Sequence, residues 1–430
     1  MTSVKAWAKR SLHPTCLLAL LLTLGSSLLY WNTSAKFKDS AVYERQDVFF
    51  RSDSRRVYND LILKREASHS NTSAHPTFVL FHQPLGFTLA NWVKSQNKGM
   101  PIETARRYAA RSMTVAAGAL CVTGFFVTLL TLGLCRTRAA LFSALFACSN
   151  TAIFFASIPE TYVFSALGLI AIASHAIHRP STHEGWWLAS SLYAIGNLTS
   201  SVVQVGIWSL CRYAGQGSNL TRVLWHSLRS GLIAVLLLIS LSLVQKAIYP
   251  STTLFFLPKS VVGQSAWLTW ENLKTPLHTS GIVLQHLIHT NIVAPQPVRT
   301  TFNGQPMGSI EKGTWDTLRP AFPLHAAWSL ILLGGIGGLC RRSALTPPVL
   351  AALGCLLFSA LFFAVFGNDR MLYSAIWTPF TLLLVAAGWE TWLRTRPQLA
   401  LGFAALLPLF ILAQAIHHWR FLDTLLALVT

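Results

Sequence analysis

Charged side chains are scarce in this 430-residue chain, and acidic ones are the scarcest. Only 11% of the residues are charged, with 15 Asp and Glu against 34 Lys and Arg, while 52% are hydrophobic. A soluble domain carries about 25% charged residues, so this chain has too few charged side chains to cover the surface of a soluble domain. The composition therefore excludes an ordinary soluble enzyme and a disordered chain.

Several familiar chemical signatures are also missing. The sequence has no glycine pattern of a P-loop or a dinucleotide-binding turn and no internal repeat. Its seven cysteines lie within or at the ends of apolar runs, without zinc-ligand spacing, so we interpret them as small buried hydrophobic residues. His286 and His289 share a helix face, but no carboxylate or cysteine accompanies them. We therefore predict no metal site.

Long apolar runs recur along the chain, and a run of about 18 residues can cross the roughly 30 Å hydrocarbon core as a helix. The run at 186–211 is unusually long and is interrupted by Gly196 and Asn197, so we divide it into two spans. With this division the sequence predicts an all-α polytopic membrane protein with about eleven transmembrane helices. The runs lie at 12–31, 109–134, 139–157, 161–177, 186–211, 230–248, 322–340, 348–366, 372–390 and 398–416.

Short basic clusters indicate the orientation of these spans. Lys5, Lys9 and Arg10 precede the first run, which predicts a cytoplasmic N-terminus. If every span reverses the chain, all short basic loops fall on that same side: Arg136/Arg138, Arg179, Arg212/Arg222/Arg229, Arg341/Arg342 and Arg394/Arg396. Topology thus explains the net charge of +19, and we predict no nucleic-acid partner.

Two long polar segments, 32–108 and 249–321, then face the outer side. We predict a single transmembrane domain over 1–430, in which these segments are outer loops that carry juxtamembrane helices. Residues 77–92 are moderately apolar but broken by polar residues, proline and glycine, so we expect a helix that lies on the membrane surface.

The first outer loop holds the densest group of charges. Residues 51–60 include the carboxylates Asp53 and Asp60 and three arginines. A carboxylate can accept a proton while guanidinium groups neutralise phosphate oxygens, so the group suits a phosphate-handling site. A solvated loop with local ion pairs is the alternative. His75-Pro76 follows at the start of the predicted surface helix and can equally be a simple turn.

Two further polar interruptions face the same side. Glu160 lies between two apolar runs with almost no loop, and a carboxylate so close to hydrocarbon indicates a function. The alternative is a glutamate that stabilises a helix start through the helix dipole. At 367–373, Arg370 is a candidate phosphate partner, and an Asp-Arg pair that caps two spans is the alternative.

The order of these features resembles the GT-C class of polytopic glycosyltransferases, and within it the protein O-mannosyltransferases and the bacterial lipid A aminoarabinose transferases. The likeness runs through 12–180 and returns at 367–390. Two positions depart from the family pattern: Ser54 follows Asp53 where an acidic pair is expected, and Thr77 replaces a second proline. The matching elements are Asp53, 75–78, 105–111, 136–138, 159–162 and 370–379.

The resemblance implies an enzyme, a glycosyltransferase that uses a polyprenyl-phosphate sugar at the outer face of a bacterial inner membrane. Asp53 would be the general base, and attack on the anomeric carbon would invert it. The acceptor would be a glycolipid, a polysaccharide or a protein. No cofactor follows with certainty, and a divalent cation is left open.

The resemblance also implies roles for other residues. Glu160 would orient the acceptor or help hold a cation, and Asp60 would be a second catalytic carboxylate. The implied substrate-binding residues are Arg55, Arg56, His75, Tyr162, Lys259, Arg370 and Tyr373. The arginines and the lysine among them would stabilise the leaving phosphate.

A transporter or flippase of a polyprenyl-linked glycan is the main competing function, since a basic outer cavity could bind lipid phosphate without cleaving it. A polysaccharide ligase or polymerase is a third. A transporter needs polar groups near the membrane midplane, whereas a surface transferase needs them gathered at one face.

Overall fold

The computed structural model describes residues 2–64, 66–67, 69, 72–178, 184–215, 219–310, 315–341, 344–367, 369–396 and 398–429. Arg179 and Arg342, named above, lie outside these ranges, and so does residue 368 of the segment 367–373.

Helices dominate the described chain. They are α1 Thr2–Lys36, α2 Ser54–Ile62, α3 Phe78–Gln96, α4 Ile102–Thr131, α5 Arg136–Ala147, α6 Asn150–Phe155, α7 Thr161–His178, α8 Glu184–Asn197, α9 Ser201–Ala214, α10 Leu220–Ile248, α11 Pro258–Ser265, α12 Pro276–Gln285, α13 Phe322–Leu339, α14 Pro347–Val365, α15 Thr378–Thr395 and α16 Gln398–Ala427. Two strands, β1 Pro297–Phe302 and β2 Gln305–Ile310, pair antiparallel with Phe302 opposite Gln305.

Seven helical stretches in the described ranges are long and apolar enough to cross a membrane, by length and composition. They are Pro14–Lys36, Ile102–Thr131, Thr161–His178, Leu220–Ile248, Leu318–Leu339, Pro347–Val365 and Gln398–Ala427. An all-α polytopic membrane protein is thereby confirmed.

The remaining predicted spans are helical but shorter or more polar. The run at 186–211 divides into α8 and α9, as its Gly196-Asn197 interruption predicted. Each of these helices has 14 residues, which is about 21 Å at 1.5 Å per residue and less than the hydrocarbon core. The run at 139–157 divides into α5 and α6. That these segments cross the membrane stays a prediction.

The two ends of the bundle differ in chemistry. At one end, Arg138 and Arg394 both pair with Glu390, at 2.6 and 2.8 Å, and Arg394 donates to the Gly133 carbonyl oxygen at 2.7 Å. These contacts join the α4–α5 connection to the end of α15. The other end gathers the α6–α7, α8–α9 and α14–α15 connections around the first long loop.

Both predicted outer loops contain helices, and the second also contains the β1–β2 hairpin, which the sequence did not predict. Helix α3 covers the predicted surface helix. It buries Phe78, His82 and Gln83 within the protein and exposes Leu85 and Trp92. Its position at the membrane surface stays a prediction.

Small residues allow the helices to pack closely. A Cβ atom on Gly388 of α15 would collide with the Gly335 carbonyl oxygen of α13. A Cβ on Gly168 of α7 would lie 2.9 Å from the Ala194 Cβ of α8. Close backbone approach of this kind is typical of membrane helix bundles, where dispersion contacts replace the hydrophobic effect.

Candidate active site

The loop before α2 has an unusual backbone. Asp47, Phe50 and Arg51 have φ angles of 58°, 52° and 56°, the left-handed region that residues other than glycine rarely occupy. The hairpin holds this loop in place, because Phe50 N–H donates to the Gly308 carbonyl at 3.0 Å and Gly308 N–H donates to the Val48 carbonyl at 2.9 Å. Left-handed residues cost about 1–3 kcal/mol each and cluster at functional sites.

Asp53 immediately precedes α2 and keeps 36% of its side chain exposed. Arg56, one turn later on α2, donates from Nε to its Oδ2 at 3.0 Å. The Asp53 backbone N–H donates to Glu160 Oε2 at 2.9 Å. Glu160 therefore fixes the backbone of Asp53 and Arg56 fixes its carboxylate, while part of the side chain stays exposed.

Glu160 connects the first loop to the start of α7 and is completely buried. Its Oε1 accepts from the Thr161 N–H at 2.8 Å and from the Thr161 hydroxyl at 3.1 Å. Burial raises the pKa of Glu160 to about 7, nearby Asp53 raises it as well, and Arg56 opposes the shift. Glu160 lines neither of the cavities described below, so its contact with the site runs through Asp53.

Arg56 lies at the centre of a buried chain of ion pairs. Its Nη1 donates to Asp60 Oδ2 at 2.9 Å, and Asp60 Oδ1 lies 2.9 Å from His69 Nδ1. Asp60 is 1% exposed and lines neither cavity. The Tyr249 ring packs edge-on against His69, with centroids 5.4 Å apart. Asp60 thus contacts the lining of the second cavity through Arg56.

A first cavity of about 820 Å³ opens beside Asp53. Its polar end is lined by Asp47, Arg51, Asp53, His75, Tyr162 and Tyr373, together with Asp369. Its other end runs between α9, α11 and α14 and is lined by Val202, Val203, Val261, Trp267, Phe358 and Phe362. A single cavity therefore joins a carboxylate to an apolar groove.

His75 is held by the turn between α8 and α9. Its Nδ1 donates to the Asn197 carbonyl at 2.5 Å, and the Thr77 N–H donates to the Gly196 carbonyl at 3.0 Å. Burial, and then the charge of Arg56, lower the pKa of His75 to about 3, so the ring is neutral. A Cβ on Gly196 would collide with the Thr77 hydroxyl, which explains the glycine there.

Tyr162 and Tyr373 close one side of the first cavity. Their rings meet edge to face, with centroids 5.4 Å apart, and Tyr373 stacks on Phe363 at 4.3 Å. Asp369 accepts from the Ser309 hydroxyl at 3.3 Å and from the Met371 N–H at 3.1 Å. These contacts attach the α14–α15 connection to both α7 and the hairpin.

A second cavity of about 580 Å³ lies beside the first. The two share a wall made of Gln46, Asp47, Phe302 and Asn303. The rest of the second cavity is lined by Arg45, Arg55, Arg56, Asn59 and Gln305. Arg51 stacks over the Phe302 ring at 4.3 Å and so braces the shared wall.

The structure brings most of the predicted site residues together but not all of them. Lys259 is exposed at the start of α11 and lines neither cavity. Arg370 is buried, donates to the Ala364 carbonyl at 3.5 Å and also lines neither. Arg55 reaches only the second cavity.

Several residues at the site carried no readable role in the sequence. Asp47, Arg51, Asp369 and the hairpin tip at Phe302 line the cavities, and His69 contacts Asp60. The available signals were the dense charged segment, which contains Arg51, and the polar interruption at 367–373, which contains Asp369. No group of three or more His, Cys, Asp or Glu residues that could hold a metal ion is found in the described ranges.

Comparisons with known proteins give a structural likeness. No protein-family model matches the sequence, and no curated protein matches it. Among solved structures, the chain is similar to the oligosaccharyltransferase of Archaeoglobus fulgidus in its apo form, with a TM-score of 0.47 and 12% sequence identity. The match covers 95% of this chain and 56% of that one, so the chain spans little more than half the length of that protein.

Proposed function

We propose that this protein is a membrane glycosyltransferase that moves a sugar from a polyprenyl-phosphate donor to an acceptor hydroxyl. The first cavity supports the proposal because it joins the partly exposed carboxylate of Asp53 to an aromatic and aliphatic groove. The donor has the same two parts, a polar sugar phosphate and an apolar tail. The tail would lie between α9 and α14, and the sugar would lie at Asp53.

Asp53 is the general base of the proposed reaction. It takes the proton from the acceptor hydroxyl while that oxygen bonds to the anomeric carbon from the face opposite the phosphate. The bond between the anomeric carbon and the phosphate oxygen breaks, the lipid phosphate leaves with the electron pair, and the anomeric centre inverts. General-base catalysis contributes roughly 10²–10⁴-fold.

Arg51 is the best-placed partner for the leaving phosphate. It lines the first cavity, whereas Lys259 and Arg370, which the sequence suggested for this role, do not. A guanidinium group fixed on Phe302 stabilises growing negative charge without rearranging during the reaction. His75 is neutral and uses Nδ1 to donate to Asn197, which leaves Nε2 as an acceptor for a sugar hydroxyl.

Glu160 and Asp60 are positioning residues in this proposal. Glu160 holds the Asp53 backbone, and Asp60 holds Arg56, which in turn holds the Asp53 carboxylate. A base held within a fraction of an ångström keeps its lone pair aimed at the acceptor proton, which is where much of an enzyme's rate enhancement originates.

A transporter is supported less well. Asp53, Glu160 and Asp369 lie in connections gathered at one end of the bundle rather than within the spans. This placement fits a reaction at a membrane surface better than a binding site at the midplane. With the basic loops on the cytoplasmic side, the site would face the periplasm of a bacterial inner membrane.

The purified full chain allows a direct test. We would incubate it with a panel of synthetic polyprenyl-phosphate monosaccharides and an envelope extract from a deletion strain, and measure polyprenyl phosphate by mass spectrometry. One donor should release polyprenyl phosphate, and NMR of the product should show an inverted anomeric centre. Release without any transfer of sugar to the extract, or no release from any donor, would contradict the proposal.

A further inference from the structure

We infer that the second cavity binds an anionic group of the acceptor, a phosphate or a carboxylate. The inference rests on the proposed transferase function and narrows its substrate, because that function alone leaves the acceptor open.

The charges that line this cavity are its first distinguishing property. The cavity is lined by three arginines, Arg45, Arg55 and Arg56, and by one carboxylate, that of Asp47. Guanidinium groups present forked donors whose spacing matches the oxygens of phosphates and carboxylates. The cavity therefore attracts an anion with its charge and can bind it with directed hydrogen bonds.

Arg56 provides a second and independent observation. Its side chain is 4% exposed, and its Nε and Nη1 are bonded to Asp53 and Asp60. Its Nη2 is buried and has no hydrogen-bond partner within the described ranges. A buried charged donor left unsatisfied is costly, and an anionic oxygen in the cavity would satisfy it.

The remaining lining explains why the donor does not fit here. Gln46, Asn59, Asn303 and Gln305 are polar, and of the described residues that line the cavity only Phe302 is apolar. No groove for a polyprenyl tail continues from it through the described ranges, in contrast to the first cavity. An acceptor with a polar, charged portion suits this lining.

The second cavity lies close to Asp53. Arg56 lines the second cavity, and its Nε donates to Asp53, which lines the first. An acceptor whose anion binds at Arg55 and Arg56 can therefore reach across the shared wall and present a hydroxyl to the base.

Binding of small phosphates to the purified protein tests the proposed anion site without requiring turnover. We would titrate glycerol 3-phosphate, with glycerol as the neutral control, into the purified full chain at low salt and follow the heat released. Glycerol 3-phosphate should bind, glycerol should not, and added salt should weaken binding. Arg55→Gln should weaken it roughly tenfold, the effect of losing one charge-assisted hydrogen bond. Arg299→Gln removes a charge that is also exposed but lies outside both cavities, and it should leave binding unchanged.

A lipid pair distinguishes the source of the anion. A membrane-borne anionic acceptor would be supported by two results together. Dihexanoyl phosphatidic acid would bind more tightly than glycerol 3-phosphate, and dihexanoyl phosphatidylcholine would not bind. Equal binding of the two phosphates would support a soluble one. Equal affinity in wild type and Arg55→Gln, loss of binding only in Arg51→Gln, or no binding at all would overturn the inference. These binding experiments involve no sugar transfer. A negative result would therefore overturn the anion site without deciding the outcome of the transferase assay.

Discussion

The two cavities share a wall but have opposite chemistry. The first has three carboxylates and one arginine at its polar end and continues into an apolar groove, whereas the second has three arginines, one carboxylate and polar amides. Asp53 lines only the first, Arg56 only the second, and the two side chains are bonded at 3.0 Å. Both proposals rest on this difference: an amphiphilic donor in the first cavity, an anionic group of the acceptor in the second, and Asp53 as the base where the two cavities meet.

The largest effect should come from removing that base. Asp53→Asn keeps the shape of the side chain but cannot take a proton, so kcat should fall by roughly 10²–10⁴-fold while KM for the donor changes little. Steady-state kinetics with the active donor check this. A kcat within about threefold of wild type would remove Asp53 from its proposed role, because general-base catalysis is worth far more than that.

The apolar groove should matter for binding and not for chemistry. Phe362→Ala removes a ring that lines the first cavity, and burying such a side chain is worth about 1.5–3 kcal/mol, so KM for the donor should rise roughly tenfold or more at nearly constant kcat. Leu361→Ala is the matched control, since Leu361 is 66% exposed on the same helix and lines neither cavity. Equal effects of both substitutions would place the donor elsewhere.

The ion-pair chain behind Arg56 should have a smaller effect. Asp60→Asn weakens the contact that holds Arg56, and Arg56 in turn orients the Asp53 carboxylate. The kcat should therefore fall by about tenfold while KM for the donor is unchanged. His69→Gln should act in the same direction, because His69 holds the far oxygen of Asp60. A thermal unfolding curve checks that each variant is folded. A rise in KM alone would show that Asp60 serves binding instead.

The smallest expected effect is on the pH dependence of folding stability. The pKa of Glu160 is raised to about 7 in the folded protein from 4.5, so the folded state binds the proton more strongly than the unfolded one. Its contribution to stability is thus fully present below about pH 4.5 and is lost as the pH rises to about 7. The Tm of Glu160→Gln, relative to wild type, should therefore increase over the interval between these two pKa values. A constant difference would mean that Glu160 does not titrate in this range.

Much of the fold was predictable because the signals are local. Apolar runs predicted the spans, and Gly196-Asn197 predicted the break between α8 and α9. The hairpin was missed although its turn carries a local signal, because Asn303-Gly304, with φ angles of 49° and 75°, is the residue pair that a two-residue hairpin loop favours. Its position against the first loop was not predictable, because Gly308 pairs with Val48 and Phe50, which lie far earlier in the chain.

For the candidate site, the sequence indicated the charged segment that contains Asp53, Arg56 and Asp60, and the predicted topology placed Glu160 on the same side. Helix α2, which brings Arg56 within reach of both Asp53 and Asp60, was not predicted. The roles given to these residues remain predictions. No sequence spacing could bring His69 to Asp60 or Asp47 to the shared wall, because loop conformation and distant contacts decide both positions.

The proposed transfer of a sugar with Asp53 as the base can be tested in the native host. Mass spectrometry would compare envelope glycolipids, polysaccharides and glycoproteins from a deletion strain carrying wild type, Asp53→Asn or no gene. We predict that one sugar disappears on deletion and that wild type restores it while Asp53→Asn, present at an equal level in the membrane, does not. Full restoration of that sugar by Asp53→Asn would contradict the account.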